Sequence, residues 1–348
     1  MSTALKGTPL PERLLPGGRM EELDLVKGML VVGMLLFHSA SATHNDDARM
    51  EGITFHLDFL HTAFIALSGF LCGTHYALAA SSGLGASGRL LRRALKLLAV
   101  FLGANLALVA FGTPKQLSWT EAARTPASAF RNFILSMNAE CAAFIVIYYI
   151  AVFLAVAAAL MGGNRRLRLA AALAAGLLGA QYSQTLWYVC VGLIGLGGGL
   201  AYLRHRERAL SFASRYWWVV LALLFAYHAA AKRTWTANGG LLWLLGLLVG
   251  ETCLWFWVIF GVFRWLPPGR ARSIILLMGR DTLLAYLGQM LILEALHATF
   301  TRHISGVYSQ YVLNLVLAAT ALCVGLALLE RWRRRNPIVN QAYRSVFH

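Results

Sequence analysis

The chain is predicted to be all-α: a polytopic integral membrane helical bundle of about ten transmembrane helices, with both termini cytoplasmic. Three observations predict this. Hydrophobic residues make up 58% of the 348 residues and charged residues only 13%, with a mean hydropathy of +0.61, a balance typical of membrane proteins rather than soluble domains. Apolar runs recur along the whole length at 25–42, 55–80, 95–111, 141–161, 169–182, 186–203, 216–231, 241–263, 282–300 and 308–329, most of them near the 20 residues a spanning helix needs. Lys and Arg are also unevenly placed. With the N-terminus inside, all of the 31 fall in or beside cytoplasmic segments except Arg49, Lys115, Arg124, Arg131, Lys232, Arg233 and Arg302. That asymmetry is the positive-inside rule. It accounts for the net charge of +16, so nucleic acid is excluded as a partner and membrane lipids are expected.

Each element follows from its own composition. Residues 1–22 carry Pro9, Pro11 and Pro16 and read as a flexible cytoplasmic lead. Run 25–42 ends in Ala40-Ser41-Ala42, which resembles a signal-peptidase site, but Glu21, Glu22 and Asp24 crowd its start. An uncleaved helix is expected. Run 55–80 opens on His56, Asp58 and His61 and carries Ser68-Gly69, a small pair that permits close helix packing. Run 95–111 follows the basic group Arg89, Arg92, Arg93 and Lys96. Segment 112–140 is polar enough to lie over the outer face, and Glu140 opens the next run. Runs 169–182 and 216–231 are the shortest. The transmembrane domain is placed at 23–330, and 331–348 is a short basic tail suited to anionic headgroups. The five cysteines lie in or at the ends of runs and read as small core residues.

Lys27 and His38 stand out within the first run. Eleven residues are about three helical turns, so the two side chains share a face, roughly 16 Å apart along the axis. Ionisable groups cost free energy in hydrocarbon and normally face a protein interior or a wet cavity, where they mark function. A cation at the rim with a titratable base deeper in suits a site that anchors an anion and moves a proton. The plainer reading of Lys27 is a side chain reaching for the headgroups.

These residues resemble a known family. Lys27-x10-His38, preceded by Arg19 and by Leu23-Asp24, is similar to the opening of the membrane acyltransferase family 3 and the related glucan O-succinyltransferases, which carry Arg-x10-His in their first helix. Phe64-Ile65-Ala66-Leu67-Ser68-Gly69-Phe70-Leu71 resembles their second-helix segment, and Met278-Gly279-Arg280-Asp281-Thr282-Leu283-Leu284-Ala285-Tyr286-Leu287 resembles their late Leu-Gly-Arg segment. Three departures are visible. The family arginine is Lys27, the family aspartate before Leu-Ser-Gly is Thr62, and the late family histidine is Gln289.

The resemblance implies an acyltransferase that takes an acyl group from cytoplasmic acyl-CoA, as co-substrate and with no tightly bound cofactor. The acyl group goes to a hydroxyl of a carbohydrate or similar acceptor at the outer face of a bacterial inner membrane. It implies His38 as the catalytic base. A histidine with a pKa near neutrality takes a hydroxyl proton directly, and an acyl-histidine intermediate is the other route open to it. Lys27, Arg92, Arg93 and Arg280 then bind the nucleotide phosphates. Asp58, His61 and Glu140 complete the catalytic set, with Glu294 and His297 at the same level. No metal site is expected, because His56 and His61 are five apart, a poor spacing for two ligands on one helix face. A transporter or flippase of a sugar- or polyisoprenoid-linked lipid is the alternative use for the same interior polar residues.

Overall fold

Helix α1, Glu21–Thr43, is the hub of the bundle. Leu23, Leu25, Val26, Leu30, Val31 and Met34 are all buried on it. The computed structural model describes residues 20–43, 48–75, 84–111, 144–161, 183–231, 241–299, 304 and 306–347, and among these there is helix and no strand. Around α1 stand α2 (Ala48–Leu57), α3 (Phe59–His75), α4 (Leu84–Phe111), α5 (Ile145–Met161) and α6 (Ser183–Ala226), the last passing into a π-turn at Tyr227–Ala231. Then come α7 (Leu241–Trp265), α8 (Arg270–Arg280), α9 (Thr282–Thr299), α10 (Val307–Arg335) and α11 (Pro337–Phe347).

Nine of the ten predicted runs overlap these helices, and run 169–182 lies outside the described residues. By length and composition, five helices can cross a membrane, or six if the bent pair α8–α9 is one span. The chain is therefore an integral membrane helical protein. Helix α4 spends its first half on Arg89, Arg92, Arg93 and Lys96, and α5 is only 17 residues long, so neither joins the five. Exposed Leu95, Leu106, Ile194, Leu223, Phe225, Val316, Val324 and Leu328 have the character of lipid-facing side chains.

Small residues bring α3 and α6 together. A side chain added at Gly69 would strike the backbone of Gly192, one at Gly195 the backbone of Ala66, and one at Gly199 that of Phe70. Without a hydrophobic drive between helices in lipid, this close approach is what gives the pair its dispersion contact. Ser68 uses its hydroxyl locally, donating to Phe64 O at 2.9 Å.

Helix α6 doubles back. His205 leaves helical geometry (φ −129°, ψ 21°) amid Arg204, Arg206 and Arg208. Tyr188 and Tyr227 would stand about 58 Å apart on a straight helix, yet both phenols lie close enough to Asp58 to feel its charge. The returning arm packs on α7, where Gly261 meets Trp217 and Ala213.

Helices α8 and α9 meet at 96° across Asp281. Because α9 is apolar throughout, a partner at that angle lies near the membrane plane. Polar Arg270, Arg272, Ser273 and Arg280 alternate on α8 with buried Met278 and Gly279, as an interfacial helix requires. Its backbone touches α1 twice, at Gly28 against Ile275 and at Gly279 against Asp24.

The basic segments of separate helices meet at one end of the bundle. Arg206 pairs with Glu22 at 2.6 Å, Arg272 with Glu21 at 2.8 Å, and Arg333 with Asp281 at 3.3 Å. The basic tail is helical as well. Helix α10 runs on to Arg335, and α11 turns back so that Tyr343 is buried, donating to Asp281 at 2.5 Å under the Arg333 guanidinium. Two cysteines depart from the expectation of small core residues. Cys190 and Cys253 are exposed on the bundle, since their helices bury the glycine and acidic faces instead; Cys72 is buried.

Candidate functional site

At the basic end, Lys27 forms an ion pair with Asp24, one turn earlier on α1. His75, at the end of α3, lies within electrostatic reach of Lys27, Asp24 and Arg93. Arg92 and Arg93 are exposed on α4, and Arg93 also reaches toward Cys72. Arg280 pairs with Glu330 at 3.0 Å and approaches Asp281 at 3.7 Å. A groove of about 890 Å³ opens here, lined by Glu21, Asp24, Ser273, Leu276, Leu277, Arg280, Ala327, Glu330, Arg331, Arg334 and Arg335. Four guanidiniums line it beside apolar Leu276, Leu277 and Ala327, a combination that suits an anion carrying an apolar chain. Lys27 and Arg280 both come already paired with carboxylates, so an incoming anion competes with Asp24 and Glu330 for them.

Deeper along α1, His38 enters a polar interior. Its Nε2 is sealed from solvent and has no hydrogen-bond partner. The ring packs against Phe37 at 5.2 Å and faces Tyr286 of α9 at 6.2 Å. His61 of α3 stands across Phe37 at 5.4 Å and acts electrostatically on His38. The His61 ring hydrogen-bonds the backbone of Asp58, in the turn between α2 and α3. Three of the four predicted catalytic residues, His38, Asp58 and His61, are thus brought to one region. Glu140 lies outside the described residues. Glu294 is half-buried on α9, and the side chain of His297 is outside the described set.

Two of the three departures from the family pattern fall in the same interior. Thr62 is 1% exposed and its hydroxyl has no partner; Gln289, one turn beyond Tyr286 on α9, is fully buried with both amide atoms unpartnered. Burying an amide without partners costs about 1–3 kcal/mol. A cluster of such groups is a place built for something polar to enter.

Sequence reasoning missed the far side of this interior. Glu251 of α7 lies 3.1 Å from His228 Nε2, and His228 Nδ1 lies 2.8 Å from His56 Nδ1. The signal was present: Glu251 is the sole acid in its apolar run and His228 sits in another, and intramembrane ionisable residues mark sites by default. Among the described residues no group of His, Cys, Asp and Glu is arranged to hold a metal ion.

The fold and the site together define a class: a helical integral membrane protein with a basic groove at one end and a histidine-rich interior toward the other. No protein-family model matches the chain, and no curated protein or solved structure matches it.

Proposed function

We propose that the protein is an integral membrane O-acyltransferase of the bacterial inner membrane. It moves an acyl group from cytoplasmic acyl-CoA to a hydroxyl of a cell-envelope glycan or similar acceptor, with His38 as general base. One observation carries the reading: His38 Nε2 is buried and unpartnered, on the same helix that presents Lys27 to a groove of arginines. The donor's phosphates belong at Lys27, Arg92, Arg93 and Arg280, and its uncharged thioester reaches inward along α1. Asp58 and His61 orient the base, and Glu140 belongs to the same set. The order of the three family-like segments along the chain supports the same assignment.

The right-angled α8–α9 pair favours a second reading, since broken helices are a habit of transporters. That alternative is a transporter or flippase of a sugar- or polyisoprenoid-linked lipid. Incubating purified protein with labelled acyl-CoAs separates the two. Acyl transfer releases CoA and labels extracted envelope glycans; a transporter does neither.

The reading places both termini and the basic end in the cytoplasm, with ten spans. Reporter fusions after Arg89, Arg204 and Arg333 are expected to report cytoplasm, and fusions near Asp46, Arg124 and Arg302 the outer side. Exchange of any site between the two sets overturns the topology.

Lys27 acts on donor binding more than on chemistry, being roughly 16 Å of helical rise from His38. Lys27→Ala is expected to raise KM for acyl-CoA about tenfold, the worth of one charge-assisted hydrogen bond, with a smaller loss in kcat. Lys27→Arg retains activity, because a guanidinium offers phosphate a bidentate fork. Steady-state kinetics with varied donor decides the point. A fall in kcat alone, with donor KM unmoved, removes Lys27 from the phosphate site.

A further inference from the structure

The interior holds a second histidine arrangement that the mechanism above leaves unused. Glu251 is 2% exposed, deep in α7. It joins His228, in the π-turn after α6, and through it His56 of α2. Three elements distant in sequence thus build one hydrogen-bonded chain. Its geometry sets the proton positions. A carboxylate accepts and does not donate, so His228 carries its proton on Nε2. Neutral His228 then has its lone pair on Nδ1, and His56 donates to it from its own Nδ1. This leaves the His56 lone pair on Nε2. If the chain takes up a proton, His228 donates from both nitrogens, and His56 turns over to accept at Nδ1 and donate from Nε2. A hydroxyl, both donor and acceptor, is the ligand group that fits either state.

The surroundings narrow the ligand further. Trp255, one turn past Glu251, stacks on Phe59 at 5.6 Å with the rings nearly parallel, and its buried indole N–H has no acceptor. The Thr252 hydroxyl is buried without a partner as well. Asp58, next to Phe59, lies close to the phenols of Tyr188 and Tyr227. Two carboxylates disfavour an anion here. Unmatched donors beside a fixed acceptor call for several hydroxyls on one molecule, and a flat aromatic wall suits the apolar face of a sugar ring.

We infer that the Glu251–His228–His56 chain is a hydroxyl-binding subsite for a neutral polyhydroxylated ligand, with His56 Nε2 holding the hydroxyl and His228 and Glu251 as positioning residues. As the binding place of the acyl acceptor it rests on the acyl-transfer reading; as a polyol site it stands apart from it.

The test uses full-length protein labelled with 15N-histidine, in lipid nanodiscs free of sugar detergents, with methyl β-D-glucopyranoside as probe. His56→Gln assigns the His56 resonances. In the wild type, the His56 Nε2 resonance is expected to move on titration with the probe. In Glu251→Gln the Nδ1-protonated form of His56 and the probe response are both expected to be lost. His228→Gln is the second variant, in case Glu251→Gln fails to fold, and is expected to lose the probe response in the same way. An unmoved His56 signal in the wild type, or an equal response in either variant, overturns the inference. CoA release is assayed on the same samples. Its absence from the wild type condemns the acyl-transfer reading and leaves the probe result standing. Where CoA is released, the variants raise acceptor KM about tenfold and leave donor KM unchanged; a change confined to kcat counts against the subsite.

Discussion

Replacing His38 with alanine is expected to reduce acyl transfer by about 10²–10⁴-fold, the usual worth of a positioned general base, while expression and folding persist. The side chain sits on α1, held by packing against Phe37 and facing Tyr286 rather than by hydrogen bonds. Its Nε2 bonds to nothing in the protein, so truncation strands no partner. The cost to the fold is that of a partly filled cavity, and the loss falls on chemistry. CoA release and acceptor labelling measure it, with gel filtration as the check on folding. Transfer near the wild-type rate removes His38 from the mechanism. His61→Ala gives a smaller loss if His61 only orients and polarises its neighbour.

Replacing Asp281 with alanine is expected to be the most destabilising single change at the basic end, costing about 3–5 kcal/mol. Asp281 is 3% exposed at the corner between α8 and α9. Its Oδ1 accepts from Tyr343 at 2.5 Å and from Arg333 at 3.3 Å. Burial and the Asp281 charge push the Tyr343 phenol up from its usual range, so it stays protonated and continues to donate. The Arg333 guanidinium lies 3.6 Å over the Tyr343 ring and is only 13% exposed. Removing the carboxylate leaves that cation half-buried and short of a partner, and unties α11 from the corner. Thermal unfolding in detergent should show a lowered midpoint, and chymotrypsin should gain access to Tyr343. Asp281→Asn keeps an acceptor for the phenol and loses less. An unchanged midpoint with Tyr343 still protected contradicts the anchoring role.

The two sites differ in how far they can be read from the chain. His38 and Lys27 sit on one helix, where a period of 3.6 residues turns spacing into geometry, and an ionisable group in an apolar run announces itself. The same reasoning reaches Asp58 and His61, which are three apart. It stops at His56, His228 and Glu251. Their helices pair only after α6 has doubled back at His205, and no local periodicity encodes a 172-residue contact. The Asp281–Arg333–Tyr343 anchor is hidden for the same reason, and so are the carboxylates that neutralise Lys27 and Arg280.

Membrane residence, helical class and the clustering of basic residues at one end were determined by the sequence alone. Transfer of backbone and charge into hydrocarbon is so costly that composition and order suffice to impose them. Tertiary structure alone decided which polar groups meet inside. In lipid, helices associate through shape and small residues, and the glycines at Gly69, Gly195 and Gly199 bring α3 and the first arm of α6 into contact. That packing helps carry Tyr188 toward Asp58, and the fold-back at His205 brings His228 to His56.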